Sequence, residues 1–260
     1  MDETSRPVTR RGFIKLGGLV LLSSAASGLG ASPLWAFAEA GKTEDGRGGP
    51  GQRPQEAPVN PVEDLMREHG VLSRLLLIYD RALVSLTGGQ GFQPKVLRAA
   101  AETVRRFIED YHERLEEDYL FPRFKKAGKM VELVDTLKTQ HERGRRLSAA
   151  IQAAATGAAV GKTLQRQQLT QSLLLFIRMY RPHKAREDTI LFPAFRNIVS
   201  WAEFDRLGEV FEGKERQMFG ERGFEGVVAQ VADLERELGI YELSQFTPPK
   251  EAGQGAAGHP

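Results

Sequence analysis

The 260-residue chain contains no cysteine. That absence excludes thiolate-held iron-sulfur clusters, attached c-type haem, thiolate zinc sites and disulfides, so any metal must bind through His, Asp or Glu. The chain also lacks a surplus of either charge. Its 36 Lys and Arg are interspersed with 34 Asp and Glu rather than gathered into a stripe, so it carries no nucleic-acid footprint. No uninterrupted apolar run reaches the roughly 20 residues that a membrane-spanning helix needs. What is present, 41% hydrophobic and 27% charged residues, suits one main soluble globular domain with a real core.

Both ends read as something other than fold. Residues 1–38 pair Arg10 and Arg11 just ahead of Phe13, Ile14 and Lys15, then an apolar stretch broken by Ser, Gly and Ala runs to about Leu29, and Ala36-Phe37-Ala38 supplies a small-x-small cleavage site. The segment resembles a twin-arginine export signal, cleaved after Ala38; an uncleaved membrane anchor is the competing reading. The resemblance implies export of an already folded protein, often with its cofactor aboard, which places the mature chain outside the cytoplasm, in the periplasm, and free of the membrane. Residues 39–59 shift to Gly, Pro, Gln and charge, a composition that cannot bury enough apolar surface to order itself and reads as a disordered linker. The tail 247–260 has the same character.

The body, 60–246, is dominated by helical periodicity, with strong breakers only between long amphipathic runs. Asn60 caps a helix from Pro61 to about Leu86, which Gly88-Gly89-Gln90-Gly91 ends. A second runs from Pro94 to about Ala127, a third from Met130 to about Ala155, and a fourth from Lys162 to about Val199 with a bend expected at Pro182. Helical fragments follow Trp201. Short connections favour antiparallel neighbours, so the expected fold is all-α: an up-down-up-down four-helix bundle with an additional C-terminal helical segment.

An internal repeat carries the chemistry. HERLEEDYLFPRF from His112 aligns position by position with HKAREDTILFPAF from His183: His first, Glu four residues on (Glu116, Glu187), a second acid at five (Glu117, Asp188), then Leu-Phe-Pro. His69 precedes His112 by 43 residues, and His141 precedes His183 by 42. Residues four apart on a helix share a face, so each His and its Glu aim at one point. Four imidazoles and two carboxylates converging in a bundle core make a binuclear set suited to iron or manganese, with zinc needing fewer ligands. The fifth histidine, His259, lies in the tail. Glu117 and Asp188 are expected on a solvated acidic face, and Leu-Phe-Pro as apolar packing beside the site followed by a bend.

His69, HERLE from His112, His141 and HKARE from His183 together resemble the hemerythrin-like, or HHE cation-binding, domain over about Val62 to Val199. The resemblance implies two iron ions in a non-haem di-iron centre, with metal ligands His69, His112, Glu116, His141, His183 and Glu187, the two glutamates bridging. Glu113 is a further ligand in some relatives, although its helical angle differs from that of His112 here. Oxygen-carrying hemerythrins place a second His four residues after the third-helix one; this chain has Arg145. One imidazole fewer would leave a coordination position open, which puts reversible oxygen carriage in doubt, and a nearby guanidinium would favour anionic ligands. The iron-sulfur repair branch carries a cysteine-bearing segment that is missing here.

Two functions fit. The first is a binding protein that takes oxygen or another small diatomic ligand, or iron itself, outside the cytoplasm; the second is a di-iron enzyme acting on peroxide or a small oxidisable substrate. The export reading is testable directly. Replacing Arg10 and Arg11 together by Lys is expected to trap the precursor in the cytoplasm, read by cell fractionation. Unchanged export would indicate a general secretory signal, and a mature N-terminus at Met1 a retained anchor.

Overall fold

Asn60 opens the first helix. Its side-chain oxygen accepts hydrogen bonds from the N–H groups of Val62 and Glu63, both at 3.1 Å, and Pro61 stands where the helix needs no donor. The computed structural model describes residues 60–88, 91–156 and 161–249; the expected signal peptide, the linker and the end of the tail lie outside them. Helix α1 is Pro61–Gly88. Helix α2 (94–126) is one rod of five segments: Pro94–Thr103, a wide-turned stretch Val104–His112, Glu113–Leu115, a second wide turn Glu116–Leu120, and Phe121–Lys126. Gly128 and Met130, with φ of 62° and 51°, turn the chain into α3, Val131–Ala154.

Helix α4 (163–195) joins Thr163–Arg186, which continues through Pro182, to a wide turn Glu187–Leu191 and a last turn Phe192–Phe195. It stops short of Val199, because Asn197 and Ile198 close back onto Ala194 and Phe195 while Ser200 begins the next helix. Ser200 Oγ accepts from the Glu203 N–H and caps α5, Trp201–Phe219; α6 is Gly223–Glu237, and Leu243–Phe246 forms a 3-10 turn. No strand occurs among the described residues, so the all-α expectation holds.

The wide turns Glu116–Leu120 and Glu187–Leu191 have a local cause. Pro122 and Pro193 offer no N–H and crowd the turn before them, so the hydrogen-bond ladder widens: Phe121 N–H reaches the Glu116 carbonyl, and Phe192 N–H reaches that of Glu187. Around these segments α1 packs against α2 and α4, and α3 packs against the same two. Leu65, Leu75, Tyr79, Phe124, Phe176 and Phe195 are fully buried between them, each worth about 1.5–3 kcal/mol of burial. Helices α5 and α6 lie on α1 and α2, where the Arg74 guanidinium forks onto Glu235 at 2.5–3.2 Å.

Two interior positions generate predictions. A Cβ at Gly144 would stand 1.9 Å from the Tyr180 hydroxyl, which occupies that space to donate to Glu113 Oε1 at 2.6 Å. Alanine gains about 1 kcal/mol of helix propensity, but overpacking costs about 1–3 kcal/mol and loss of a hydrogen bond to a charged group about 1.5–3 kcal/mol more. Gly144→Ala is therefore expected to lower the melting temperature, whereas alanine at exposed Gly213, with nothing within 4 Å, should raise it.

Glu109 is buried on α2 with Oε1 unsatisfied. Burial pushes its carboxyl above the ordinary 4.5, and Asp110 adds to the rise against the opposing pull of Ser148 and Arg145. A carboxyl raised in the folded state favours folding while protonated; that contribution fades as pH climbs from the unfolded value through the folded one. Glu109→Gln should therefore raise the melting temperature near pH 7 and leave it unchanged near pH 4. A gain confined to acid would reverse the assignment.

Candidate metal centre

Each of the four main helices delivers one histidine to the same interior point: His69 from α1, His112 from α2, His141 from α3 and His183 from α4. Glu116 and Glu187 come from the wide turns of α2 and α4, and all six side chains are 3% exposed or less. They fall into two halves. His69 Nε2 and His112 Nε2 lie 3.0 Å apart, and His141 Nε2 and His183 Nε2 lie 3.2 Å apart. Glu116 spans the halves, 3.7 Å from His112 Nε2 and 3.4 Å from His141 Nε2. Glu187 does the same in mirror sense, 3.0 Å from His183 Nε2 and 3.4 Å from His69 Nε2. The sequence repeat is thus a repeat of geometry, and all six candidate ligands lie in one cluster.

The other nitrogen of each ring is anchored. His69 Nδ1 donates to Asp188 at 2.6 Å and His112 Nδ1 to Glu68 at 2.8 Å. His141 Nδ1 donates to Glu117 at 3.0 Å and His183 Nδ1 to the Gln140 side-chain oxygen at 2.8 Å. Carboxylates only accept, so these bonds put the ring proton on Nδ1 and turn the Nε2 lone pair inward. The expectation that Glu117 and Asp188 form a solvated acidic face is corrected here. One residue past the bridging glutamate, each swings about 100° round the helix and meets the histidine of a neighbouring helix. Glu68 and Gln140 were missed by sequence reasoning. Their signal was a polar residue directly before the histidine in both weak copies of the repeat.

The arrangement fits a pair of cations. Two lone pairs facing each other at 3.0 and 3.2 Å repel unless something positive lies between them. Two nitrogens at right angles on a metal with bonds of about 2.1 Å would be about 3 Å apart. All four oxygens of Glu116 and Glu187 are buried without a hydrogen bond, an omission that costs about 1–3 kcal/mol per group in a metal-free interior. Burial, then the charge of Glu187, pushes Glu116 well above the carboxylate range. Glu187 is drawn well below it, because His183 and His69 outweigh its burial. Burial likewise lowers His112, and His141 to about 4. Burial works against His69 too, but Asp188 and Glu187 carry it up to about 9. Phe192 stacks on His69 at 5.4 Å and Phe121 on His141 at 5.5 Å, the apolar packing expected of Leu-Phe-Pro.

Arg145 turns to two carboxylates beside the histidine cluster. Its guanidinium pairs with Glu113 at 2.8 Å and Glu117 at 2.7 Å. Glu113 thereby has one oxygen accepting from Tyr180 and the other paired with Arg145, while burial pushes its carboxyl well above the ordinary range against the pull of both. Glu113, Glu117 and His141 also bring their polar atoms within 4.8 Å of one another, but Arg145 already supplies the positive charge there.

The comparisons with known proteins agree with this geometry. The profile of the hemerythrin HHE cation binding domain matches residues 60–236. Uncharacterized proteins of Mycobacterium bovis and of two Mycobacterium tuberculosis strains are 48% identical over 229 residues, covering 88% of this chain and 89% of theirs. No solved structure matches. With its histidines and glutamates converging in one all-helical body, the chain belongs to the hemerythrin HHE cation-binding family.

Proposed function

We propose that the chain holds two iron ions in this centre and uses them to bind oxygen or another small diatomic ligand, or to hold iron itself, outside the cytoplasm. The observation that carries this reading is the convergence of four inward Nε2 lone pairs on two carboxylates with no other partner. Imidazole and carboxylate without thiolate suit iron, which when bound supplies a coordination position for a diatomic ligand. The up-down-up-down course of α1 to α4 belongs to the same reading and is favoured by the short connection between α2 and α3.

The protein's own groups would do the rest. Asp188, Glu68, Glu117 and Gln140 hold a proton at each Nδ1 and fix the rings. Glu116 and Glu187 neutralise charge across both halves, and Phe121 and Phe192 keep the imidazole faces dry. Ligand residues exposed by 3% or less favour a diatomic molecule over a larger substrate. The surface cavity beside α3 and α4, about 500 Å³ and lined by Arg143, Arg146 and Arg178 among others, includes none of the six. Export by the twin-arginine route, which carries folded proteins, fits a centre loaded before translocation. No described helix is long and apolar enough to cross a membrane.

Elemental analysis of protein made with iron present is expected to return about two irons per chain. His112→Ala or His183→Ala should lower that content sharply, and His259→Ala should leave it unchanged. One iron at saturation, or none retained after desalting, would overturn the binuclear reading. Peroxide consumption far above that of free iron would move it to an enzyme.

A further inference from the structure

The repeat makes the two halves of the centre alike in ligands but not in what holds those ligands. In the His69–His112 half, both Nδ1 atoms donate to carboxylates, Asp188 and Glu68. In the His141–His183 half, the position equivalent to Glu68 is Gln140, a neutral amide that accepts from His183. The position equivalent to Asp188 is Glu117, which also takes the Arg145 guanidinium at 2.7 Å on the same oxygen that accepts from His141. The residue equivalent to Arg145 is Ser73, whose hydroxyl turns back to the His69 carbonyl at 2.7 Å and brings no charge. Acceptor charge therefore differs at two equivalent positions in the same direction.

We infer that the two metal sites are unequal: the His69–His112 half binds its cation first and tightly, and the His141–His183 half is the weaker, exchangeable site. Resting on the dinuclear reading above, the inference names Glu68, Gln140 and Arg145 as the positioning residues that set the difference. A carboxylate accepting from Nδ1–H raises the electron density of the ring and hence the donor strength of the opposite nitrogen; an amide does so less. The charge count points the same way. Behind the first pair of rings both acceptors are carboxylates, Glu68 and Asp188. Behind the second pair, Glu117 and Glu113 face two guanidinium groups, Arg145 on both and Arg114 on Glu117 at 2.8 Å, which leaves no net negative charge even with Glu113 counted in full. Changing such a partner shifts metal affinity by about 10- to 100-fold, enough to separate two otherwise similar sites.

Negative charge shared through Glu116 and Glu187 also makes a second cation harder to add once the first is bound, so a stepwise isotherm alone does not show which half is stronger. Each half is therefore measured without the other. The full chain, stripped of metal by a chelator and kept free of oxygen, is titrated with cobalt(II) as a spectroscopic probe and followed by calorimetry. His183→Ala leaves the His69–His112 half, and His112→Ala leaves the His141–His183 half; the first variant should bind one cobalt at least about 10-fold more tightly than the second. Within the His112→Ala background, Gln140→Glu should restore about 10-fold or more, and Glu68→Gln should weaken His183→Ala by a similar factor.

Equal affinities in the two single-half variants, a reversed order, or no response to Gln140→Glu would overturn the inference. If the alanine variants do not fold, judged by circular dichroism, Gln140→Glu in the otherwise unchanged chain decides: the gap between the two binding steps should narrow, and an unchanged gap would sink the proposal. Saturation of the unaltered chain at one cobalt is the separate outcome that removes the dinuclear reading itself, whereas two equal sites remove this inference alone.

Discussion

Four imidazoles and two carboxylates enclosed in an apolar interior are unstable company for one another unless each has a fixed proton or a cation beside it. Their mutual repulsion, and the desolvation that comes with exposures near zero, set the terms for everything around them. Each ring is tied at Nδ1 by an acceptor on a neighbouring helix or on its partner helix, and each bridging glutamate stands between histidines of both halves. An apolar set of the same volume would stabilise the bundle at least as well. Retaining six ionisable groups instead is what a cation site demands and packing alone does not explain.

The backbone is shaped to that end. Wide turns interrupt α2 and α4 where Glu116 and Glu187 leave the helix, and in both cases a proline two residues beyond the turn explains why the ladder opens. The same Leu-Phe-Pro element then drops a phenylalanine onto the face of a histidine from another helix. One short sequence element thus bends the hydrogen-bond ladder, aims a carboxylate and walls an imidazole. Its two copies act across the middle of the body rather than each within its own half.

Departures from the repeat are as informative as the repeat itself. Gly144 leaves room for the Tyr180 hydroxyl, Tyr180 and Arg145 hold Glu113, and Arg145 shares Glu117 with His141. That chain of contacts is built only on the α3 side, where the first pair has Leu72 and Ser73 at the matching positions. The cluster therefore sets symmetric histidines and glutamates within asymmetric surroundings.

Spacing along the chain was enough for the long helices, the Asn60 cap, the repeat and the six side chains that converge in the interior, because a helix turns local spacing directly into a shared face and the absence of cysteine leaves only imidazole and carboxylate. It reached the family through the same residues. It did not reveal what stands behind those side chains. Glu117 and Asp188 carry the pattern of solvated acids, Glu68 and Gln140 carry no pattern of their own, and Arg145 sits by spacing one turn beyond His141. Each of these depends on which neighbouring helix lies alongside and at what rotation, a relation between residues 24 to 119 positions apart in the chain. Only the tertiary structure decided that, since helical periodicity says which face looks inward but not which side chain across the interface is there to meet it.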